Sequence, residues 1–364
     1  MIESITLQNF KSFGEEQTIP LEPITVLVGP NNSGKSNFMS VARFLKNGFL
    51  AGAHAAVSQE GDGFFHTPGT GAGLCNIEWQ ANGSSYICSL DRLSSIISEK
   101  AFSKAGSDFE RGTDNIRVNN RRYGFTTSSD FFIASRLDPD HEASRILDEL
   151  WDPFVDTKFI KLSLGALRAD SEVVPNPGIG VDGRGIAAVV GLWRGAIPEK
   201  VQALNGFLSR CLPEMKEVLV RPAPVPGHQR LWFRQNDGLA FDAEHVSDGV
   251  LAFTALAMHA LSAEPGQLLC IEEPEQSIHP KRLRELVDLL KDLVRERGCQ
   301  FIIATHSTVL LNAFRDEPEA ILLFRRSDKG TRVKRLSDVP ELVEALQQTP
   351  PGDLLETGAF STAF

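Results

Sequence analysis

Apolar residues in this chain fall into two kinds of run. Residues 24–28 (ITVLV), 268–271 (LLCI) and 301–304 (FIIA) are short and unbroken, with no polar alternation. Such runs are expected of strands buried on both faces of a parallel sheet. Residues 2–7 (IESITL) read as a further strand bounded by polar punctuation. LCNIEWQ (74–80) and SSYICSL (84–90) flank Ala81-Asn82-Gly83, which predicts a hairpin. The second kind of run keeps helical spacing: Leu283, Leu286, Val287, Leu290, Leu293 and Val294 recur with Lys, Arg and Glu between them, an amphipathic helix. Residues 35–46 predict another helix. Strand, helix and strand between 268 and 304 make one crossover unit of a three-layer α/β domain.

The middle of the chain is less regular. Residues 91–165 are polar and mixed, with helical pieces such as HEASRILDELW but no sustained heptad, which excludes a long coiled-coil arm. Pro and Gly gather at 175–185 and 222–227, marking loops. No internal repeat is present. The run Leu251 to Leu261 is too short to span a bilayer and contains His259, and the first residues lack the pattern of a signal peptide. The expectation is a soluble, cytoplasmic protein with no membrane partner.

Composition narrows this picture. With 364 residues, one large domain with an inserted or paired lobe is expected, and 42% apolar residues suffice for its core. The formal net charge of -10 means that any DNA contact runs through a local patch or a partner. Arg117, Arg121 and Arg122, around Asn119-Asn120 and beside Tyr123, form one such cluster, although the acidic balance favours a solvated loop there. The five cysteines are scattered and include no C-x-x-C, as in a reducing compartment. Cys75 and Cys88 could face each other across the hairpin, but small core residues are the favoured reading.

The strongest chemical signal is Gly29-Pro30-Asn31-Asn32-Ser33-Gly34-Lys35-Ser36, a full G-x-x-x-x-G-K-[ST] between a strand and a helix. Its glycines let the backbone approach an anion, successive N–H groups point inward, and the helix start adds partial positive charge. Lys35 is expected at the β/γ-phosphate oxygens and the Ser36 hydroxyl on Mg²⁺. LLCIEEPE places Glu272 and Glu273 at the end of a buried strand, where ligands of such sheets collect. Glu272 is read as a ligand of Mg²⁺ and Glu273 as the general base that polarises the attacking water; a solvated acidic turn before Pro274 is the alternative. FIIATHS ends the next strand with His306, able to hydrogen-bond a γ-phosphate.

These residues together resemble the ATP-binding-cassette (ABC) ATPases of the SMC and RecF group and, within it, the ATPase module of OLD-family (overcoming lysogenization defect) proteins. ITLQNFKSFG looks like the first strand and turn of that group, GPNNSGKSN (Gly29 to Asn37) like its phosphate loop, CIEEPEQSIHP like its Walker B and D-loop, and IIATHS like its switch histidine. Val246-Ser247-Asp248-Gly249-Val250 resembles a degenerate cassette signature opening a helix. The long separation from the phosphate loop to this segment points to the SMC/RecF side rather than to transporters.

The resemblance implies an α/β P-loop NTPase of ABC type, with a mixed sheet, an antiparallel β-subdomain and an inserted helical lobe. It implies four parts: 1–90, the N-terminal half of the core; 91–235, a largely helical lobe with connecting strands; 236–335, the C-terminal half; and 336–364, a helix and tail. ATP and Mg²⁺ are the implied ligands. Gly29, Pro30, Asn31, Asn32, Ser33, Gly34, Lys35, Ser36 and Asn37 would contact nucleotide, with Lys11 and Ser12 adding contacts to phosphate or base. Ser247, Asp248 and Gly249 would reach the nucleotide held by a second copy, in a head-to-tail homodimer. Gln80 is a candidate for the family's Q-loop glutamine. Too little sequence follows RRSDKGTRVKR for a nuclease (Toprim) domain of typical size. The expectation is therefore a switch that controls a separate nuclease or toxin in bacterial phage defence. A RecF-like DNA-repair clamp is the alternative, and an ATP-binding scaffold without turnover is disfavoured by the intact Lys35, Glu273 and His306.

Overall fold

The computed structural model describes residues 1–61, 63–66, 73–111, 115–124, 132 and 144–364. Its centre is a six-stranded sheet in the order Lys158–Ile160, Leu268–Glu272, Gln300–Ala304, Ile24–Val28, Ile321–Ser327 and Gly330–Arg335. The first five strands are mutually parallel and the last pairs antiparallel. The unbroken apolar runs follow from burial on both faces. Val26, Leu269, Ile271, Phe301 and Ile303 point into one core, while Leu27, Cys270 and Ile302 point into the other.

That second core lies between the parallel sheet and an eight-stranded antiparallel sheet in the order Gln17–Pro20, Ile2–Gln8, Cys75–Ala81, Ser84–Leu90, Ile96–Phe102, Asp108–Arg111, Asn115–Val118 and Arg121–Gly124. The expected hairpin forms with a two-residue turn at Asn82 (φ 53) and Gly83 (φ 76), the doubly positive pair favoured by twisted strands. Cys75 pairs with Leu90 and Cys88 with Ile77, and both thiols are free and buried. The helix Lys35–Ala51 packs in this core through Phe38, Val41, Phe44 and Leu45 and runs five residues past its expected end.

The lobe expected as largely helical from residue 91 needs correction. Residues 96–124 carry four strands that continue the antiparallel sheet. In Ile96–Phe102 the inward positions are Ile96, Glu99 and Ala101, so a buried carboxylate breaks the apolar alternation. The piece HEASRILDELW is helical from Ser144, its first three residues lying outside the described ones. Beyond it, the helices Ile186–Ala196 and Pro198–Cys211 pack on a small antiparallel sheet of Ser171–Glu172, His228–Gln235, Met215–Pro222 and Ala240–Asp242. Among the described residues, no helix is long and apolar enough to cross a membrane.

Candidate functional site

The carboxyl ends of three adjacent parallel strands open into one cleft. Ile24–Val28 leads into the phosphate loop, Leu268–Glu272 into the acidic pair, and Gln300–Ala304 into Thr305-His306. The cleft encloses about 220 Å³ and is lined by Asn31 to Asn37, Glu272, Glu273, Ala304 and His306. It lies where parallel sheets place their ligands, because the loops beyond the strand ends are free of sheet pairing.

The phosphate loop is a built cradle. Gly34 sits at φ 108, and a Cβ there would come 2.2 Å from Thr331 Oγ1, so no side chain fits. Thr331 Oγ1 is 2.8 Å from Ser12 Oγ and 3.0 Å from the Ser33 carbonyl, which holds the loop from behind. Ser33 Oγ is buried with no partner. Lys35 Nζ donates to the carbonyls of Gly29 (2.6 Å) and Pro30 (3.0 Å). Burial lowers its pKa, and the charges of Glu273 and Glu275 oppose that shift. Ser36 lies exposed on the cleft wall.

On the facing wall, Glu273 is a non-glycine residue at φ 48, a conformation held by its N–H donating to the Ala304 carbonyl at 2.8 Å. Its carboxylate accepts from Gln276 Nε2. Glu272 Oε2 is 2.8 Å from Lys161 Nζ. Glu275 accepts from Thr305 Oγ1 at 2.8 Å and from the His306 N–H at 2.7 Å, fixing the backbone that presents the exposed His306 ring.

Oxygen donors from Ser36 and Glu272 suit a hard cation such as Mg²⁺, which takes one or two protein oxygens plus phosphate and water. The glycine cradle, too tight for any Cβ, suits a phosphate chain.

Three side chains expected near the nucleotide lie outside the cleft lining. Lys11 pairs with Glu60, which also binds Arg43 at 2.7 Å, and Ser12 is buried behind the loop against Thr331. Neither is among the residues lining the cleft, and Ser12 backs the loop through Thr331. Gln80 also lies away from it, near the hairpin end of Cys75–Ala81 and opposite Ser4.

Ser247, Asp248 and Gly249 open the helix Asp248–Leu261, as expected. Ser247 caps it, its Oγ accepting from the Val250 N–H at 3.4 Å. These residues lie outside the cleft of their own chain, with Ser247 and Asp248 exposed and Asp248 paired to Arg168. A Cβ at Gly249 would meet the Ser277 carbonyl at 2.8 Å, so this helix start packs tightly on the turn that follows the acidic pair. In the basic cluster, Arg117 pairs with Glu110 while Arg121 and Arg122 are exposed in the terminal hairpin; the side chain of Tyr123 lies outside the described residues.

Sequence reasoning missed Lys161, Glu275 and Thr331. The strand pairing that puts Lys161 beside Glu272 spans more than a hundred residues and leaves no local spacing to read. Glu275 was visible within EEPE, but only as another acid of the turn.

Comparison with known proteins places the chain among ATPases. Residues 83–312 match the family described as "AAA domain, putative AbiEii toxin, Type IV TA system", and residues 1–104 match an AAA ATPase domain family. Over 143 residues the chain is 27% identical to the OLD nuclease of Thermus scotoductus, a match covering 38% of this chain and 26% of that protein. The chain thus spans about a quarter of that relative's length. The fold is that of SMC heads. An SMC head solved with the C-terminal winged-helix domain of ScpA is 15% identical at a TM-score of 0.52, covering 92% of this chain and 97% of that one. The SMC head of Pyrococcus furiosus with an extended coiled coil, bound to the C-terminal domain of ScpA, is 14% identical at a TM-score of 0.51, covering 95% and 99%.

Proposed function

We propose, from the premise that this chain belongs to the family described as "AAA domain, putative AbiEii toxin, Type IV TA system", within the ABC-type ATPases of the SMC, RecF and OLD group, that it is a Mg²⁺-dependent, dimeric ATP switch in the cytoplasm that controls a separate nuclease or toxin in phage defence. The observation that carries this reading is the convergence of phosphate loop, acidic pair and His306 at three neighbouring strand ends.

In this reading the amides of residues 29–36 and the ammonium of Lys35 hold the triphosphate, with Asn37 at the edge of the cradle. Ser36 and Glu272 hold Mg²⁺, which neutralises phosphate charge. Glu273 takes a proton from the attacking water and His306 hydrogen-bonds the γ-phosphate. Ser247 and Asp248, exposed on the outside of their own subunit, and Gly249 beside them complete the site of a second copy, where a helix start favours an anion. Residues 1–90, 91–235, 236–335 and 336–364 serve as working divisions, with the strands of 96–124 assigned to the β-subdomain by their pairing.

The decisive experiment is native mass spectrometry with and without Mg²⁺ and ATP. A dimer that forms only with nucleotide is expected, and a monomer under both conditions removes the switch. Co-purification from the native host tests for the effector. The RecF-like alternative, a clamp on DNA, is favoured by exposed Arg121 and Arg122 alone. Filter binding with a steep salt dependence, lost when both arginines are replaced, would select it.

A further inference from the structure

Lys161 follows the short edge strand Lys158–Ile160, which runs parallel to Leu268–Glu272 with Ile160 opposite Ile271. The next residue on each strand is therefore Lys161 beside Glu272. Their side chains meet at 2.8 Å, the lysine 66% exposed and the carboxylate 20%. The ammonium thus engages Oε2 of a carboxylate that also lines the cleft. Arg43 also lies within electrostatic reach of Glu272, but its guanidinium is engaged by both oxygens of Glu60, at 2.7 and 3.1 Å. The Lys161 main chain is anchored by its N–H donating to the Val181 carbonyl at 2.9 Å, so only its long side chain is free to swing.

We propose that Lys161 is a resident cation that competes with Mg²⁺ for Glu272, so that loading the metal with nucleotide requires the ammonium to leave the carboxylate. This rests on the reading of Glu272 as a metal ligand. The competition is electrostatic and steric. A divalent cation and an ammonium repel, and Mg²⁺ demands an octahedron of oxygen donors in which an ammonium has no place. Lysine suits the role because its compact charge sits on a flexible four-carbon stem. The strong exposure of Lys161 keeps the pair weak enough to be displaced.

The test is Mn²⁺ titration followed by electron paramagnetic resonance, with a non-hydrolysable ATP analogue, on wild type, Lys161→Met and Lys161→Gln. Removing the ammonium is expected to lower the half-saturating Mn²⁺ concentration by roughly threefold, the scale of a partly exposed ion pair. Affinity for the analogue in chelator and the melting temperature are expected to stay unchanged. An unchanged or raised half-saturation in both variants, with wild type binding metal and analogue, overturns the proposal. Wild type that binds neither overturns the reading of the site itself. A melting temperature that falls without a change in metal affinity would make Lys161 a structural residue only.

Discussion

The two large sheets place their acidic groups differently. In the antiparallel sheet, Glu99 is fully buried yet bound by the Tyr86 hydroxyl and by Arg111. Trp79 stacks on Tyr86 with ring centroids 4.4 Å apart and donates its Nε1–H to the Leu150 carbonyl at 2.9 Å. Each of these four side chains has a protein partner. At and beyond the strand ends of the parallel sheet, Glu272 and Glu273 are half-buried and Ser36 and His306 exposed, all four lining the cleft. Closed networks hold a scaffold, whereas polar groups left facing a cleft are available to a ligand.

Four substitutions sharpen that contrast. Glu273→Gln should slow turnover by about a thousandfold, or about 4 kcal/mol, while an ATP-bound dimer accumulates. Single-turnover kinetics checks this, and retained turnover removes Glu273 as the base. Arg111→Met removes the ion-pair partner of the buried Glu99, which keeps its bond from Tyr86, and should cost about 3 kcal/mol in urea unfolding, with nucleotide affinity unaltered. A change in affinity would show that the two sheets are not separate in role. Lys35→Ala should weaken nucleotide binding by about a hundredfold, or about 2.7 kcal/mol, in calorimetry, and leave the melting temperature in place.

The smallest effect concerns His259, which lies in the helix Asp248–Leu261 at 2% exposure with neither ring nitrogen bonded. Burial, helped by the charge of Lys158, pushes its pKa down to about 3. The folded protein therefore keeps the ring neutral while the unfolded chain protonates it below about 6.5. This contribution to stability is intact above that pH and is lost as pH falls toward 3, by about 1.4 kcal/mol per unit. At pH 5 the loss is about 2 kcal/mol, and His259→Leu should abolish it. Melting curves of both proteins at pH 7.5 and pH 5 provide the check.

The parts of the molecule legible in the sequence are those fixed by local constraint. The glycines of the phosphate loop, the capping Ser247 and the apolar runs of doubly buried strands each follow from a few neighbouring residues. Residues 96–124 were harder. Their outward positions carry Ser, Glu, Lys and Arg, and their inward face includes Glu99, so the alternation reads as noise until Arg111 and Tyr86 are known to meet it. Lys11 and Ser12 were placed by likeness on the nucleotide, and in the structure Lys11 pairs with Glu60 and Ser12 meets Thr331 behind the loop. Lys161 and Thr331 act through partners far away in sequence, which no spacing rule reaches.

Thr331 has one more implication. The phosphate loop is made early in synthesis, yet the hydroxyl that seats it arrives about three hundred residues later. A nascent chain on the ribosome would carry every residue of the motif without the seat that shapes it. The cradle should therefore take its final shape only once the outer hairpin that carries Thr331 is in place.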